Sequence, residues 1–127
     1  EKYAKSLEVE PDKITSNAMD DALLTRAMAI VEKNMDNIEF STDEFAREMN
    51  MSRSNLHLKL KAITGESTID FIRKIRFNEA AKLLKDGRYT VAEVSTMVGF
   101  NTPSYFATSF KKYFGCLPTE YIKKSKG

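Results

Sequence analysis

Met49-Asn50-Met51-Ser52-Arg53-Ser54-Asn55-Leu56-His57-Leu58-Lys59-Leu60-Lys61-Ala62-Ile63-Thr64-Gly65 reads as a tight turn followed by a helix. Ser52 is a good N-cap, because its hydroxyl can accept a free amide hydrogen of the first turn. Gly65 stands where a helix stops in a left-handed residue. Leu56, Leu60 and Ile63 recur at i, i+4 and i+7 and share one face. Ser54, His57, Leu58 and Lys61 share the opposite face, within about 100° of one another on a helical wheel. A shorter helix precedes the turn, with Ser41 or Thr42 as its cap and Phe45, Ala46 and Met49 turned inward. Two helices joined by a short turn, the second with an open polar face, form a helix-turn-helix pattern.

The rest of the chain bounds what this pattern can serve. With 127 residues there is room for one ordinary domain or two very small ones. A hydrophobic content of 42% beside 30% charged residues fits a globular chain. No apolar run approaches the roughly 18 residues that span a bilayer, so no membrane contact is expected. No signal peptide is seen. The single cysteine, Cys116, cannot close an internal disulfide, which points to a reducing, cytoplasmic setting. The chain does not begin with Met, so a fragment of a longer protein is expected. The net charge of +2 conceals a division: residues 1–50 carry 6 Lys/Arg against 12 Asp/Glu, and residues 51–127 carry 14 against 6. Such asymmetry suits a polyanion partner. A solvated mixture of surface charges is the other reading.

In chain order, residues 1–19 read as a linker from an upstream domain. Glu8-Val9-Glu10-Pro11-Asp12 is acidic and broken by proline, with room for a short extended segment from Val9 to Thr15. Asp20 or Asp21 starts the first helix, whose stripe is Leu23, Leu24, Ala27, Ile30, Val31 and Met35; it stops near Asn34 to Asn37. The first helix-turn-helix subdomain therefore occupies 20–66. A connecting helix follows within 67–87, capped by Ser67 or Thr68 and ended by Gly87. Its apolar residues, among them Ile69, Ile72, Phe77, Ala80 and Leu84, cover more than one face. Arg73, Lys74, Arg76, Lys82 and Lys85 are expected outward. About 18 residues give it about 27 Å.

The first pattern then returns over 88–127. Glu44-Phe45-Ala46 matches Glu93-Val94-Ser95, and Asn50-Met51 matches Gly99-Phe100, at an offset of 49. After one inserted residue, Ser54, Leu56, Leu60, Lys61 and Gly65 match Ser104, Phe106, Phe110, Lys111 and Gly115, at an offset of 50. An internal repeat must be read before any fold is assigned. Thr90 caps a helix from Val91 to Val98, Gly99 makes the turn, and Thr102 caps the next helix with Pro103 at its first position. Phe106, Phe110, Tyr113 and Phe114 face inward; Ser104, Ala107, Thr108 and Lys111 face outward. Pro118 opens a last short helix, Thr119 to Lys124, with Tyr121 and Ile122 closing the second core. The fold class is all-α: two helix-turn-helix subdomains joined by a long helix, about seven helices in all.

Two outward second helices on one chain suit double-stranded DNA, whose successive major-groove faces lie about 34 Å apart. Any mismatch of spacing would be met by bending the duplex. Neither outer face has a central arginine for the commonest specific contact, to guanine. His57 can donate to a base or a phosphate. Leu58 can make only apolar contact, for instance with a thymine methyl, and Thr108 can do either. Arg53, Lys59, Lys61, Lys111 and Lys112 read as phosphate neutralisers.

Other functions fit less of the sequence. The chain shows no glycine-rich phosphate loop, no zinc-ligand spacing and no elbow-type serine, so neither an enzyme nor a cofactor or metal site is expected. His57, the only histidine, has no Cys or His partner for a metal, and a solvated histidine is its plainer reading. Cys116 reads as a small buried residue, and the aromatic run from Tyr105 to Phe114 as core. A helical protein–protein interaction module without base-specific binding would explain the amphipathic helices. It would not explain two capped turns with lysines at matched positions.

With these residues in view, the chain resembles the AraC/XylS family of transcription regulators over about residues 20–124. The likeness rests on Met51-Ser52-Arg53-Ser54-Asn55-Leu56 with Lys61 and Thr64-Gly65, and on Phe71-Ile72, Arg76 and Ala80-Ala81-Lys82-Leu83-Leu84. It rests most on Val98-Gly99-Phe100-Asn101-Thr102-Pro103-Ser104-Tyr105-Phe106, Phe110-Lys111-Lys112-Tyr113-Phe114-Gly115 and Pro118-Thr119-Glu120-Tyr121. The resemblance implies a seven-helix domain over 20–127 that places one helix of each module in adjacent major grooves. It implies base-facing positions at Ser54, His57 and Leu58, and at Pro103, Ser104, Tyr105 and Thr108. The family often has arginine where this chain has Leu58 and Thr108. The whole chain is most similar to the C-terminal output domain of hybrid two-component regulators. That implies receiver and kinase domains upstream in the same polypeptide, RNA polymerase as a partner, dimerisation through the parent protein, and activation of transcription.

Overall fold

The structure, a computed structural model, describes residues 18–126. Among the described residues there are seven helices and no strand: α1 Ala18–Lys33, α2 Thr42–Glu48, α3 Arg53–Thr64, α4 Thr68–Asp86, α5 Val91–Met97, α6 Pro103–Phe114 and α7 Pro118–Lys126. The extended segment expected from Val9 to Thr15 lies outside the described residues, as does nearly all of the linker expected over 1–19. Ala18 and Met19 are the exception, because they already form the first turn of α1. Asp20 and Asp21 sit in that turn, where carboxylates favour the positive end of the helix dipole.

The chain divides into two compact units. The first holds α1, α2, α3 and the start of α4 through Ile72. In it α1 packs on both α2 and α3. Leu24, Ala27, Ile30 and Val31 of α1 are buried, as are Phe45, Ala46, Met49, Leu56, Leu60 and Phe71. The rings of Phe45 and Phe71 stack with centroids 6.0 Å apart. At the rim, Arg26 donates to the Glu48 carbonyl at 2.9 Å, and Lys33 pairs with the Glu48 carboxylate at 2.8 Å. Ile63, expected on the buried face, is only half-buried; Thr64 is buried instead and donates its hydroxyl to the Leu60 carbonyl at 2.7 Å.

The second unit holds residues 73–126 and, in addition, the segment Asn34–Phe40. Its core is Phe77, Ala80, Leu84, Val94, Val98, Phe100, Phe106 and Phe110, flanked by Tyr89, Phe114, Tyr121, Ile122 and Met35. Phe77 is the hub, with ring centroids 4.9 Å from Tyr113, 5.4 Å from Phe100 and 6.2 Å from Phe110. The sequence reading put Asn34–Phe40 inside the 20–66 subdomain; the structure joins it to the second unit for two local reasons. Met35 packs on the aromatic core, and the Arg76 guanidinium donates to the carbonyls of Asn34 and Asn37 at 3.4 and 2.9 Å. Arg76 is therefore not an outward cation. Burial pushes its guanidinium below the ordinary arginine value, and its Nε is buried with no hydrogen-bond partner.

Other expectations for side-chain direction also change. Lys74, expected outward, is 5% exposed, and Ile69, grouped with the apolar residues of the connecting helix, is 55% exposed. Tyr113, expected inward, keeps one edge open while its ring stacks on Phe77. At helix ends, α7 begins at Pro118 and continues to Lys126, and α5 stops at Met97 with Val98 as its cap. Cys116 is buried, as expected.

Candidate nucleic-acid interface

The internal repeat is reproduced bond by bond in two turns. Ser41 caps α2 by accepting the Glu44 amide at 3.2 Å, and Thr90 caps α5 by accepting the Glu93 amide at 3.1 Å. In the second case the Glu93 carboxylate returns to the Thr90 amide, closing a capping box. After each short helix comes one left-handed residue: Asn50 at φ 59° and Gly99 at φ 84°. Asn and Gly are the residues that accept this conformation at least cost. The Met51 amide then bonds the Ala46 carbonyl at 3.0 Å, and the Phe100 amide bonds the Ser95 carbonyl at 2.9 Å. Ser52 and Thr102 cap the second helices through the amides of Asn55 and Tyr105, at 3.1 and 3.2 Å. Those helices, α3 and α6, have 12 residues each and end on left-handed Gly65 and Gly115, whose amides bond the carbonyls of Lys61 and Lys111.

Each turn leaves one face of its second helix open. In α3, Ser54, His57, Leu58 and Lys61 are all exposed, opposite the buried Leu56 and Leu60. In α6, Pro103, Ser104, Tyr105, Thr108, Lys111 and Lys112 are exposed, opposite Phe106 and Phe110. Tyr105 keeps its ring edge against Phe100, with centroids 5.6 Å apart, so it is held at the border of the face. Lys59 is exposed too, but at 100° per residue it stands about 150° round the helix from the centre of the Ser54–Lys61 face. It does not share that face.

Two features of these faces were not visible in the sequence reading. Arg53 donates to the Asp43 carboxylate of α2 at 3.1 Å, so this cation already has an anion beside it. Both side chains are largely exposed, and such a pair is easily exchanged for another anion. Thr108 donates its hydroxyl to the Ser104 carbonyl at 3.0 Å, one turn back in the same helix. A shallow groove beside α3 is lined by Thr42, Arg53, His57, Ser67, Thr68 and Ile69, which places His57 next to hydroxyls and a cation. Among the described residues, no group of three or more His, Cys, Asp or Glu side chains is arranged to hold a metal ion, and no helix is long and apolar enough to cross a membrane.

Comparison with known proteins agrees with this geometry. A family profile described as a helix-turn-helix domain matches residues 45–124. "Histidine kinase P4" of Formosa agariphila is 37% identical over 120 residues, which cover 94% of this chain and 9% of that protein. The chain thus corresponds to a small part of that relative's length. Among solved structures, the C-terminal domain of AraT, a response regulator from Geobacillus stearothermophilus, is 30% identical with a TM-score of 0.74, covering 80% of this chain and 84% of that one. An AraC-type DNA-binding domain protein from Chromobacterium violaceum is 25% identical with a TM-score of 0.76, covering 86% and 96%. A duplicated, capped turn with an open second helix, a family profile over residues 45–124 and solved relatives covering 80% or more of the chain place it in the AraC-type helix-turn-helix family of DNA-binding transcription regulators.

Proposed function

We propose that α3 and α6 are both reading helices, each entering a major groove of one duplex. The observation that carries this is the likeness of the two turns: the same caps and the same turn bond leave Ser54, Leu58 and Lys61 exposed in one module and their counterparts Ser104, Thr108 and Lys111 exposed in the other, although Ala107, at the position of the exposed His57, is half-buried. Bases are met by Ser54, His57 and Leu58 in the first module and by Pro103, Ser104, Tyr105 and Thr108 in the second. Arg53, Lys61, Lys111 and Lys112 meet phosphates; Lys59, about 150° round α3 from the centre of the reading face, is given no phosphate contact. We further infer that the domain is the output end of a phosphorelay polypeptide in the cytoplasm, with receiver and kinase domains upstream, a dimeric parent and contact with RNA polymerase as an activator. The likeness to a histidine kinase over 94% of this chain supports that inference.

Selection from a random duplex library, followed by a salt series on the winner, tests the reading. The expected result is a gapped site with halves about one helical turn apart and a steep salt slope. One short half-site would mean that a single module reads bases, and no enrichment at low salt would favour a protein-interaction role. For the phosphorelay, the parent polypeptide should protect its operator differently before and after phosphorylation; identical footprints would remove that part of the proposal.

Two sets of variants refine the assignment. Lys61→Ala and Lys111→Ala should weaken binding to every sequence and lower the salt slope by about one each; an unchanged slope would show that these lysines touch no phosphate. Asp43→Asn should act in the opposite direction. It removes an anion beside Arg53 and frees that guanidinium for DNA, so affinity should rise about twofold to fivefold at low salt, with the gain shrinking as salt screens it. A loss of affinity would mean that the pair holds Arg53 in its working position.

A further inference from the structure

We propose that each reading helix recognises a thymine by its 5-methyl group, through Leu58 in α3 and Thr108 in α6. This rests on the reading that α3 and α6 enter the major groove. Leu58 is 64% exposed on an otherwise polar face. It covers little of this chain's own core, and it can neither donate nor accept a hydrogen bond. Its counterpart at the offset of 50 is Thr108. A threonine hydroxyl has one hydrogen, and here that hydrogen is directed to the Ser104 carbonyl. What Thr108 offers beyond its own helix is a methyl group and an acceptor lone pair.

In this structure, then, neither matched position has a hydrogen left to donate. Guanine presents only acceptors, O6 and N7, in the major groove. Set against Leu58 or Thr108 it would be desolvated without a partner, which is costly for a buried polar atom. Thymine is the base whose groove edge carries a methyl group, and burying that group against an apolar side chain is favourable. The Thr108 lone pair could also accept from cytosine N4, so the hydroxyl and the methyl must be separated by experiment.

The test uses the selected duplex, with each thymine replaced in turn by deoxyuridine, which removes the methyl alone. Affinity is read by fluorescence anisotropy at fixed salt. One thymine in each half should be sensitive, losing about fourfold on replacement, the effect of one buried methyl-sized group. Leu58→Ala should abolish sensitivity in the first half and leave the second intact. Thr108→Val should keep the second sensitivity and Thr108→Ser should lose it. These sites are exposed, so folding is not at stake, and a purely structural role would leave the coupling between side chain and methyl unchanged. Deoxyuridine effects below about twofold everywhere, or sensitivity that survives both Leu58→Ala and Thr108→Ser, would overturn methyl reading while DNA binding stands. A single sensitive thymine, lost with Leu58→Ala alone, would overturn the assignment of Thr108. Failure to select any duplex would remove base reading by these helices, and this proposal with it.

Discussion

Gly99→Ala should unfold the second unit far more readily than Gly65→Ala unfolds the first. Both glycines are left-handed, at φ 84° and 79°, so each alanine carries the same backbone strain of about 1–2 kcal/mol. The difference lies in what a Cβ would meet. At Gly65 nothing stands within 4 Å. At Gly99 the new carbon would lie 2.6 Å from the Met35 carbonyl oxygen and 2.8 Å from Arg76 Cζ. The oxygen is backbone and cannot turn away, and the guanidinium is held by the carbonyls of Asn34 and Asn37. Relief requires Asn34–Phe40 to withdraw, which strips Arg76 of its acceptors and opens the flank of the aromatic core at Met35. A total cost above about 3 kcal/mol is expected, the range of severe single substitutions. Urea unfolding followed by circular dichroism, with amide exchange to locate the loss, measures it. Equal midpoints for the two alanine variants would show that the close approach at Gly99 carries no energetic weight.

Phe77→Ala is the second large effect. The ring is 1% exposed and lies within 6.4 Å, centroid to centroid, of five other aromatic rings. Those neighbours come from α6 and from the turn after α5, so they cannot collapse together without moving helices. Truncation should cost about 3–5 kcal/mol, as transfer and cavity terms add. Phe77→Leu keeps most of the volume and should cost about half as much or less. Amide protection should fall in α5 and α6 while α2 and α3 keep theirs. A uniform loss across both units would contradict the division of the cores.

What the sequence displayed and what it hid differ in physical kind. Caps and stops are local chemistry: Ser52, Thr90, Thr102, Gly65 and Gly115 act on amides or dihedrals within a few residues, so their roles could be read without a fold. The open faces of α3 and α6 could be read because each has one clear apolar stripe, and a stripe fixes its opposite. In α4 that logic fails. With apolar residues round more than one face, periodicity does not say which polar residues lie between them, and Lys74 is buried where the pattern points it outward. Long side chains add to the ambiguity, since a lysine or arginine can bury its stem and direct its head elsewhere. Arg76 and the Arg53–Asp43 pair depend on contacts across 39 and 10 residues, and no spacing rule reports them. Tyr113 satisfied the helical pattern and still sits at an edge, because an amphipathic ring can stack on one side and be wetted on the other.

The membership of Asn34–Phe40 in the second unit has a consequence for how this domain can be cut and recombined. The repeat written in the sequence is contiguous, yet the unit that packs is discontinuous. A gene fragment opening at residue 67 encodes the whole second repeat and an incomplete core, with Met35 missing and Arg76 deprived of both its carbonyl acceptors. Chimeras between relatives, joined at the connecting helix, would inherit the same fault unless the stretch between the first two helices came from the same parent as the aromatic core. The natural exchange partner for residues 73–126 is therefore a seven-residue piece that ribosomes complete well before them.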